Sequence, residues 1–416
     1  MVKEKSDDLF KFGSFGTVFK DKEQVTKMGK KLKIGIVLDN KVNKWALQRF
    51  EPLKDKYDIT VFVGQRNDYD VSAIGLKKIF LSHSSEIVLV LKNPATAYKR
   101  ILRAPYKRMD FYYFSLQKYL GEMDVVYSGD ITRSAYTLAS LKEKFGYKFI
   151  LSYWENIPYR SVFDKKMDFY KKYVMEKVDL FLPYTNTAKE TLRIEGVDEK
   201  NMRVIYPGVD IERFKPGEKP AYLLNKYNIP EKSFVILYIG KLVSWKGIHN
   251  LIYMAKILKE NGINDFIVVV AGRGAQKENM KKVMEASNTT DHFRFLDFVS
   301  YNEIPDIHRM AAVLVLPSYP IMYWQEQFGM VLAEAMASGT PVISTLSGSI
   351  PEVVGDSAVL IPPGDYNALA DNVMKLMEDR ALRDDFSKKG RVRAERLFDS
   401  QKIANEFLDV MNQIAM

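Results

Sequence analysis

The chain has 416 residues, a length that by itself suggests two to three domains. Hydrophobic residues make up 47% and charged residues 27%, which excludes a disordered or fibrous chain and leaves a globular one with a sizeable core. Without cysteine there is neither disulfide nor thiolate chemistry, the four scattered histidines argue against a zinc cluster, and the formal charge of +10 asks for an anionic partner.

Residues 1–30 are polar and read as an N-terminal extension. They include Gly13-Ser14-Phe15-Gly16, which resembles part of a protein-kinase glycine loop, but neither an HRD nor a DFG segment follows, so kinase chemistry is excluded. The charged start MVKEKSDDLF has no secretory h-region, and no apolar run approaches the roughly 18 residues of a membrane span. The expected location is the cytoplasm, with peripheral contact to the cytoplasmic membrane face. That contact is suggested by residues 92–118, where seven basic side chains interleave with aromatics around a single acid, Asp110. A solvated basic face is the competing reading. Nucleic acid is not expected, because no binding module accompanies the charge.

From Lys33 the chain alternates between strand and helix patterns. Strands are expected at Ile34–Leu38, Ile59–Val63, Ile87–Leu91, Val125–Tyr127, Phe149–Ser152, Leu180–Pro183 and Val204–Tyr206. Helices are expected at Thr132–Phe145 and Asp164–Glu176, the second with a core stripe of Phe163, Met167, Tyr170 and Val174. Residues 31–210 thus read as one β/α domain. Prolines and glycines cluster over 211–232, the expected linker. The alternation then restarts over 233–399, with strands at Phe234–Ile239, Phe266–Val270, Phe293–Leu296, Val313–Leu316, Pro341–Ser344 and Val359–Ile361 and helices at Ile248–Glu260 and Lys277–Ala286. The amphipathic stretch 400–416 is expected to pack back on the first domain. The fold class is therefore α/β, two doubly wound Rossmann-like domains facing a central cleft.

In such sheets ligands sit beyond the carboxyl ends of the strands. Gly240-Lys241 and Lys246-Gly247 follow the first strand of the second half, where glycines admit a close backbone and lysines neutralise phosphate oxygens. Gly272-Arg273-Gly274 follows the next strand but lacks the further glycine of a nicotinamide or flavin fingerprint. In WQEQFGMVLAEAMASGTPVI, Glu326 and Glu334 lie eight positions apart, about 12 Å of rise and about 80° beyond two turns if helical. That is too far to share a proton and suits two hands on one elongated ligand. A helix starting near Phe328 would present free N–H groups to an anion such as a diphosphate.

Taken in order, Val204–Asp210, Gly240-Lys241-Leu242, Lys246-Gly247, Gly272-Arg273-Gly274, Pro317-Ser318 and the Glu326–Glu334 run resemble the retaining GT-B glycosyltransferases, in particular glycosyltransferase family four. The resemblance is close over 204–363. It implies Lys246 and Lys241 on the donor diphosphate, with lysine at 241 where the family usually has arginine. It also implies Glu326 on the donor sugar, backbone N–H groups of Phe328, Gly329 and Met330 near sugar and phosphate, Glu334 on the ribose, and the loop at Phe298 and Val299 beside the base. Lys246, Glu326 and Lys241 are the expected catalytic residues, and Gly240, Gly272, Arg273 and Gly274 complete the donor site.

The first half departs from the family. The usual glycine pair after the first strand is replaced by Asp39-Asn40-Lys41, and the usual acceptor-side histidine by Tyr153-Trp154-Glu155-Asn156. Asn40, Trp154 and Glu155 are the expected acceptor-side residues, with loop capping as the other reading of Glu155. The resemblance implies transfer from a UDP-, GDP- or ADP-sugar to a carbohydrate or lipid-linked acceptor, with no cofactor and no metal. An epimerase or phosphorylase of the same fold, or a non-catalytic binding relative, is the alternative.

Overall fold

The computed structural model describes residues 31–64, 67–72, 74–81, 116–297 and 299–415. The N-terminal extension, the strand expected at Ile87–Leu91, Phe298 and nearly all of the basic aromatic segment 92–118 lie outside the described residues.

Short apolar runs, too short to be helices and bounded by turn residues, form two parallel sheets. The first is built from β1 (Lys33–Val37), β2 (Asp58–Gly64), β3 (Lys77–Leu81), β4 (Val125–Ser128), β5 (Lys148–Tyr153) and β6 (Leu180–Pro183), in the order β3-β2-β1-β4-β5-β6. The second is built from β7 (Phe234–Ile239), β8 (Phe266–Ala271), β9 (Phe293–Leu296), β10 (Val313–Leu316), β11 (Val342–Thr345) and β12 (Val359–Ile361), in the order β12-β11-β10-β7-β8-β9. Counted from the first strand of each half, the two orders are the same. Each reverses direction beside its first strand, between β1 and β4 and between β7 and β10. In open α/β sheets that reversal opens the crevice where ligands bind.

The helices of eight residues or more are α1 (Arg133–Phe145), α2 (Lys165–Lys177), α3 (Asn186–Ile194), α4 (Ile248–Glu260), α5 (Lys277–Ala286), α6 (Met330–Ala337), α7 (Tyr366–Glu378), α8 (Arg380–Leu397) and α9 (Ser400–Ala415). Thr132 caps α1 through the Ala135 N–H, and Asp164 caps α2 through the N–H groups of Lys166 and Met167. One face of the first sheet is covered by α1 and α2, through Leu138 and Val174. The other face is covered by α9, whose Ile403, Phe407, Val410 and Met411 pack with Ile34, Phe50 and Tyr127. The chain crosses between the halves twice, and the crossings lie side by side: Val209 N–H donates to Phe398 O at 2.6 Å, and Ser400 N–H to Val209 O at 2.9 Å.

Three expectations need correction. Val204–Tyr206 is not a sheet strand; Arg203 and Ile205 donate N–H bonds to Phe181 and Pro183 at the sheet edge, and Pro207, which has no N–H, stops the ladder there. An unforeseen edge strand, β3, pairs with β2. The α2 stripe holds for Tyr170 and Val174, but Phe163 is 63% exposed.

Candidate functional site

The second sheet's loops are held together by backbone that tolerates no side chain. Gly272, at φ 149°, lies so close to the preceding loop that a Cβ would sit 1.9 Å from Gly240 O. Gly247, at φ 69°, begins α4, and a Cβ there would sit 1.9 Å from Pro317 O. The loops after β7, β8 and β10 are thereby tied into one surface. Gly240 N–H donates to Ala271 O at 3.0 Å, Leu242 N–H to Arg273 O at 2.9 Å, and Tyr319 N–H to Trp245 O at 3.0 Å.

At the β7–β10 reversal this surface carries Lys246 and Glu326. The Lys246 ammonium sits 2.6 Å from Glu326 Oε2, and the buried Ser318 hydroxyl donates to the same oxygen at 2.9 Å. Lys246 Nζ also lies 4.8 Å from the centre of the Trp324 ring. Both ionic side chains are largely buried, so the carboxylate keeps two donors and the ammonium keeps its counter-charge. Lys246 keeps donor capacity for a second anion.

The carboxylate spacing departs from the helical expectation. The helix starts at Met330, behind Gly329 at φ 79°, so Glu326 stands in the loop ahead of it and only Glu334 is helical. Phe328 turns its ring inward, 1% exposed, against Phe398 at 5.4 Å, and the backbone from Gly329 begins the helix's N-terminal end. Glu334 makes its described approach to His308, 3.7 Å from Nε2, and its charge joins burial in holding the Tyr301 phenol protonated. Lys241 and Arg273 are exposed, and Val299 packs half-buried against the second core.

A cavity of about 280 Å³ lies between the halves, at the β1–β4 reversal. Asp39, Lys41 and Asp130 line it from the first half, Trp154 and Tyr184 form an aromatic wall, and Gln327 and Met330 reach it from the second. The two rings lie 3.8 Å apart, and beneath them the buried Arg49 guanidinium donates to the hydroxyls of Tyr184 at 2.6 Å and of Tyr127. Asp130 stands two residues after β4. Burial pushes its carboxyl up to about 6, with Glu155 and Asp39 acting in the same direction and the Ile131 N–H and Lys41 opposing.

Of the expected acceptor-side residues, Trp154 lines this cavity. Asn40 is exposed beside it, its carbonyl accepting the Asp68 N–H at 3.0 Å, while its neighbours Asp39 and Lys41 face the cavity. Glu155 lines an adjoining cavity of about 490 Å³. There it caps its own loop, accepting from the N–H groups of Asn156 and Ile157 and pairing with Arg160 at 2.8 Å. Sequence reasoning missed Asp130, Gln327 and Asn156. Asp130 had one available signal, an acid two residues beyond an apolar strand at the end where ligands bind. Asn156 had none: its amide donates to Glu326 O at 2.8 Å, and its carbonyl accepts from Gln325 at 2.8 Å, across the two halves. Glu352 makes a second tie across the halves, accepting from the N–H groups of Asn186 and Thr187 at the start of α3 and from Tyr206.

Two family models match the chain, "Glycosyltransferase Family 4" over residues 54–213 and "Glycosyl transferases group 1" over residues 223–393. The chain is 34% identical over 192 residues to a D-inositol 3-phosphate glycosyltransferase of Streptomyces bingchenggensis, covering 43% of this chain and 41% of that one. It is 28% identical over 274 residues to the capsular polysaccharide biosynthesis glycosyltransferase CapM of Staphylococcus aureus, covering 60% of this chain and 66% of that one. The chain spans about half the length of the first curated relatives it matches. Among solved structures, Anabaena Alr3699/HepE in complex with UDP and glucose superposes with a TM-score of 0.74 at 16% identity, covering 92% of this chain and 100% of that one. WaaG, a glycosyltransferase involved in lipopolysaccharide biosynthesis, does so at 0.67 and 15%, covering 91% and 99%. These two likenesses show the fold, which is GT-B.

Proposed function

From a chain whose second half matches the glycosyl transferases group 1 model and whose first half matches the Glycosyltransferase Family 4 model, we propose that the protein is a retaining glycosyltransferase. It moves a sugar from a nucleotide-sugar donor to a hydroxyl of a carbohydrate or lipid-linked acceptor. The observation that carries this reading is the Lys246–Glu326–Ser318 cluster, lying at the strand-order reversal of the second sheet and beside the head of α6.

The chemistry follows from charge. Breaking the bond between the sugar's C1 and the phosphate oxygen places negative charge on the departing diphosphate. Lys246, with Lys241 reinforcing it, and the free N–H groups at the start of α6 stabilise that charge where it develops. Glu326, fixed by Ser318, accepts hydroxyl bonds from the donor sugar, and Glu334, one turn along α6, takes the ribose. Gly240, Gly272, Arg273, Gly274 and Val299 form the rest of the donor wall. The acceptor oxygen bonds to C1 on the face that the phosphate leaves, and its proton passes to the departing phosphate oxygen, so configuration is retained.

A thermal-shift screen with UDP-, GDP- and ADP-sugars tests the donor side, starting with UDP-glucose because HepE has been solved with it. Transfer assays with acceptor panels follow, and Glu326→Ala should reduce transfer strongly. A wild-type rate in that variant would remove Glu326 from the mechanism, and isomerised nucleotide sugar without an acceptor would point to an epimerase. The anionic-surface role of residues 92–118 rests on charge alone. It predicts that neutralising Arg100, Arg103, Lys107 and Arg108 releases the protein from anionic vesicles. Among the described residues no helix is long and apolar enough to cross a membrane.

A further inference from the structure

Among the described residues, nearly half of the exposed large hydrophobic side chains fall in two stretches, 159–169 and 321–323. They come from opposite halves of the molecule and meet: the rings of Phe163 and Tyr323 lie edge to face at 5.2 Å, and Arg160 Nε donates to Tyr323 O at 2.6 Å. Phe163 is 63% exposed and Met322 68%, with Val162 and Ile321 next to them in the chain and exposed as well. A soluble surface scatters such residues; gathering them at one spot marks a place where something apolar is covered.

The patch forms the rim of the 490 Å³ cavity, which both Phe163 and Tyr323 line. The floor beneath them is polar in a particular way. Its acids are Asp130, Glu155 and Asp164, the last capping α2, and the Tyr153 hydroxyl is buried there with no hydrogen-bond partner. The two described cations of the lining are already engaged, Arg160 with Glu155 at 2.8 Å and Lys171 with Glu195 at 2.5 Å. The floor therefore offers acceptors and a hydroxyl, which match the donating hydroxyls of a sugar, and it repels a phosphate or carboxylate. Gln327 and Asp130 line this cavity and the interdomain one alike, so a sugar on this floor lies where the two cavities meet, beside the residue that follows Glu326 in the chain.

We propose that this cavity binds an amphiphilic acceptor, an uncharged sugar headgroup on the Asp130–Tyr153–Glu155 floor with an apolar aglycone lying over the Phe163–Tyr323 rim. The proposal rests on the glycosyltransferase reading and fixes the acceptor's class. It sets the chain apart from relatives named for a phosphorylated inositol acceptor, whose anionic group this floor would reject.

The test is calorimetric titration with methyl and octyl glucoside, galactoside and mannoside, the octyl series below its critical micelle concentration. The best octyl glycoside should bind at least about tenfold more tightly than its methyl counterpart, a gain that burying two methylenes supplies. Phe163→Ser and Tyr323→Ser should abolish the gain. Both side chains are exposed, so the variants keep their thermal stability, and a UDP titration in each should match wild type. Equal binding of methyl and octyl glycosides would overturn the proposal, as would a gain that survives in both variants. Equally tight binding of pentaethylene glycol monooctyl ether, which has the tail but no sugar, would reduce the rim to a bare apolar patch. A concentration-dependent dimer that Phe163→Ser dissolves would make it a self-interface instead. Failure of the wild type to bind any of UDP, GDP and ADP strikes the glycosyltransferase reading and leaves the tail comparison to be read separately.

Discussion

Asp130→Asn separates the cost of the acceptor-side carboxyl from its use. The carboxyl is pushed up to about 6 because burial at the end of β4 strips it of water, while the Ile131 N–H and Lys41 compensate only in part. The unfolded chain releases this proton near pH 4, so between about 4 and 6 the native state holds a proton that the unfolded state has lost. Stability from this group is therefore greatest at the acid end of that window and falls as pH rises to 6. Above 6 the native state carries the full penalty. Two pH units at about 1.4 kcal/mol each set a ceiling of about 3 kcal/mol, and partial exposure lowers the expected value to about 1–2 kcal/mol. Asparagine keeps the shape, and its Oδ1 can still accept the Ile131 N–H, so the variant should be more stable than wild type at pH 7.5 by about that amount. The gap should close toward pH 4.5. Urea unfolding at several pH values measures it. Acceptor kcat/KM should fall at least about tenfold while UDP affinity stays unchanged. A gap that does not vary with pH, or a wild type that is the more stable at pH 7.5, would refute the reasoning.

Three further outcomes follow from the donor side and the junction. Glu326→Gln leaves the Lys246 ammonium facing an uncharged amide; stability should drop by about 1–3 kcal/mol and turnover by about a hundredfold or more, read from urea melts and donor-saturated rates. Gly247→Ala places a methyl 1.9 Å from Pro317 O at a φ of 69°, so thermal denaturation should show a loss of at least about 2 kcal/mol, together with weaker UDP binding. Glu352→Ala removes the carboxylate that receives the first N–H groups of α3; hydrogen exchange should accelerate at Asn186 and Thr187, with a stability loss of about 1–2 kcal/mol.

The loops of the second sheet were legible because backbone geometry dictates them. Where loops approach within a Cβ's reach, as at Gly247 and Gly272, only glycine fits, and glycine leaves a mark that a reader can find. The strands of the second sheet are equally plain, since burial on both faces makes them continuous apolar runs. β3 hid because it is an edge strand: Lys77 and Phe80 face solvent, and two lysines open it as they open many surface segments. The 204–206 run misled for the opposite reason, being apolar yet confined to two edge hydrogen bonds before Pro207. Glu326 and Glu334 stand on either side of a helix start that lies at Met330, two residues beyond the Phe328 expected from the sequence. Nothing in the residue types announces that Gly329 takes a left-handed conformation and delays the helix to Met330.

Apart from Trp154, the proposed acceptor side was illegible for a reason that also bears on how it works. Its other parts are side chains brought from separate loops, and each is unremarkable alone: an acid after β4, a glutamine before α6. Trp154 occupies the place where the resemblance leads one to expect histidine, and it packs at 3.8 Å on Tyr184 as a wall of the cavity. An indole carries no exchangeable charge at neutral pH, so that position shapes the site without shuttling a proton. The titrating group of the described lining is instead Asp130, whose carboxyl is poised near 6 where the two cavities meet. Because the departing phosphate is itself the base in the proposed transfer, the site has no need of a histidine. A carboxylate that holds and orients the attacking hydroxyl is enough, and this difference in kind predicts a loss of acceptor kcat/KM in Asp130→Asn that added imidazole does not restore.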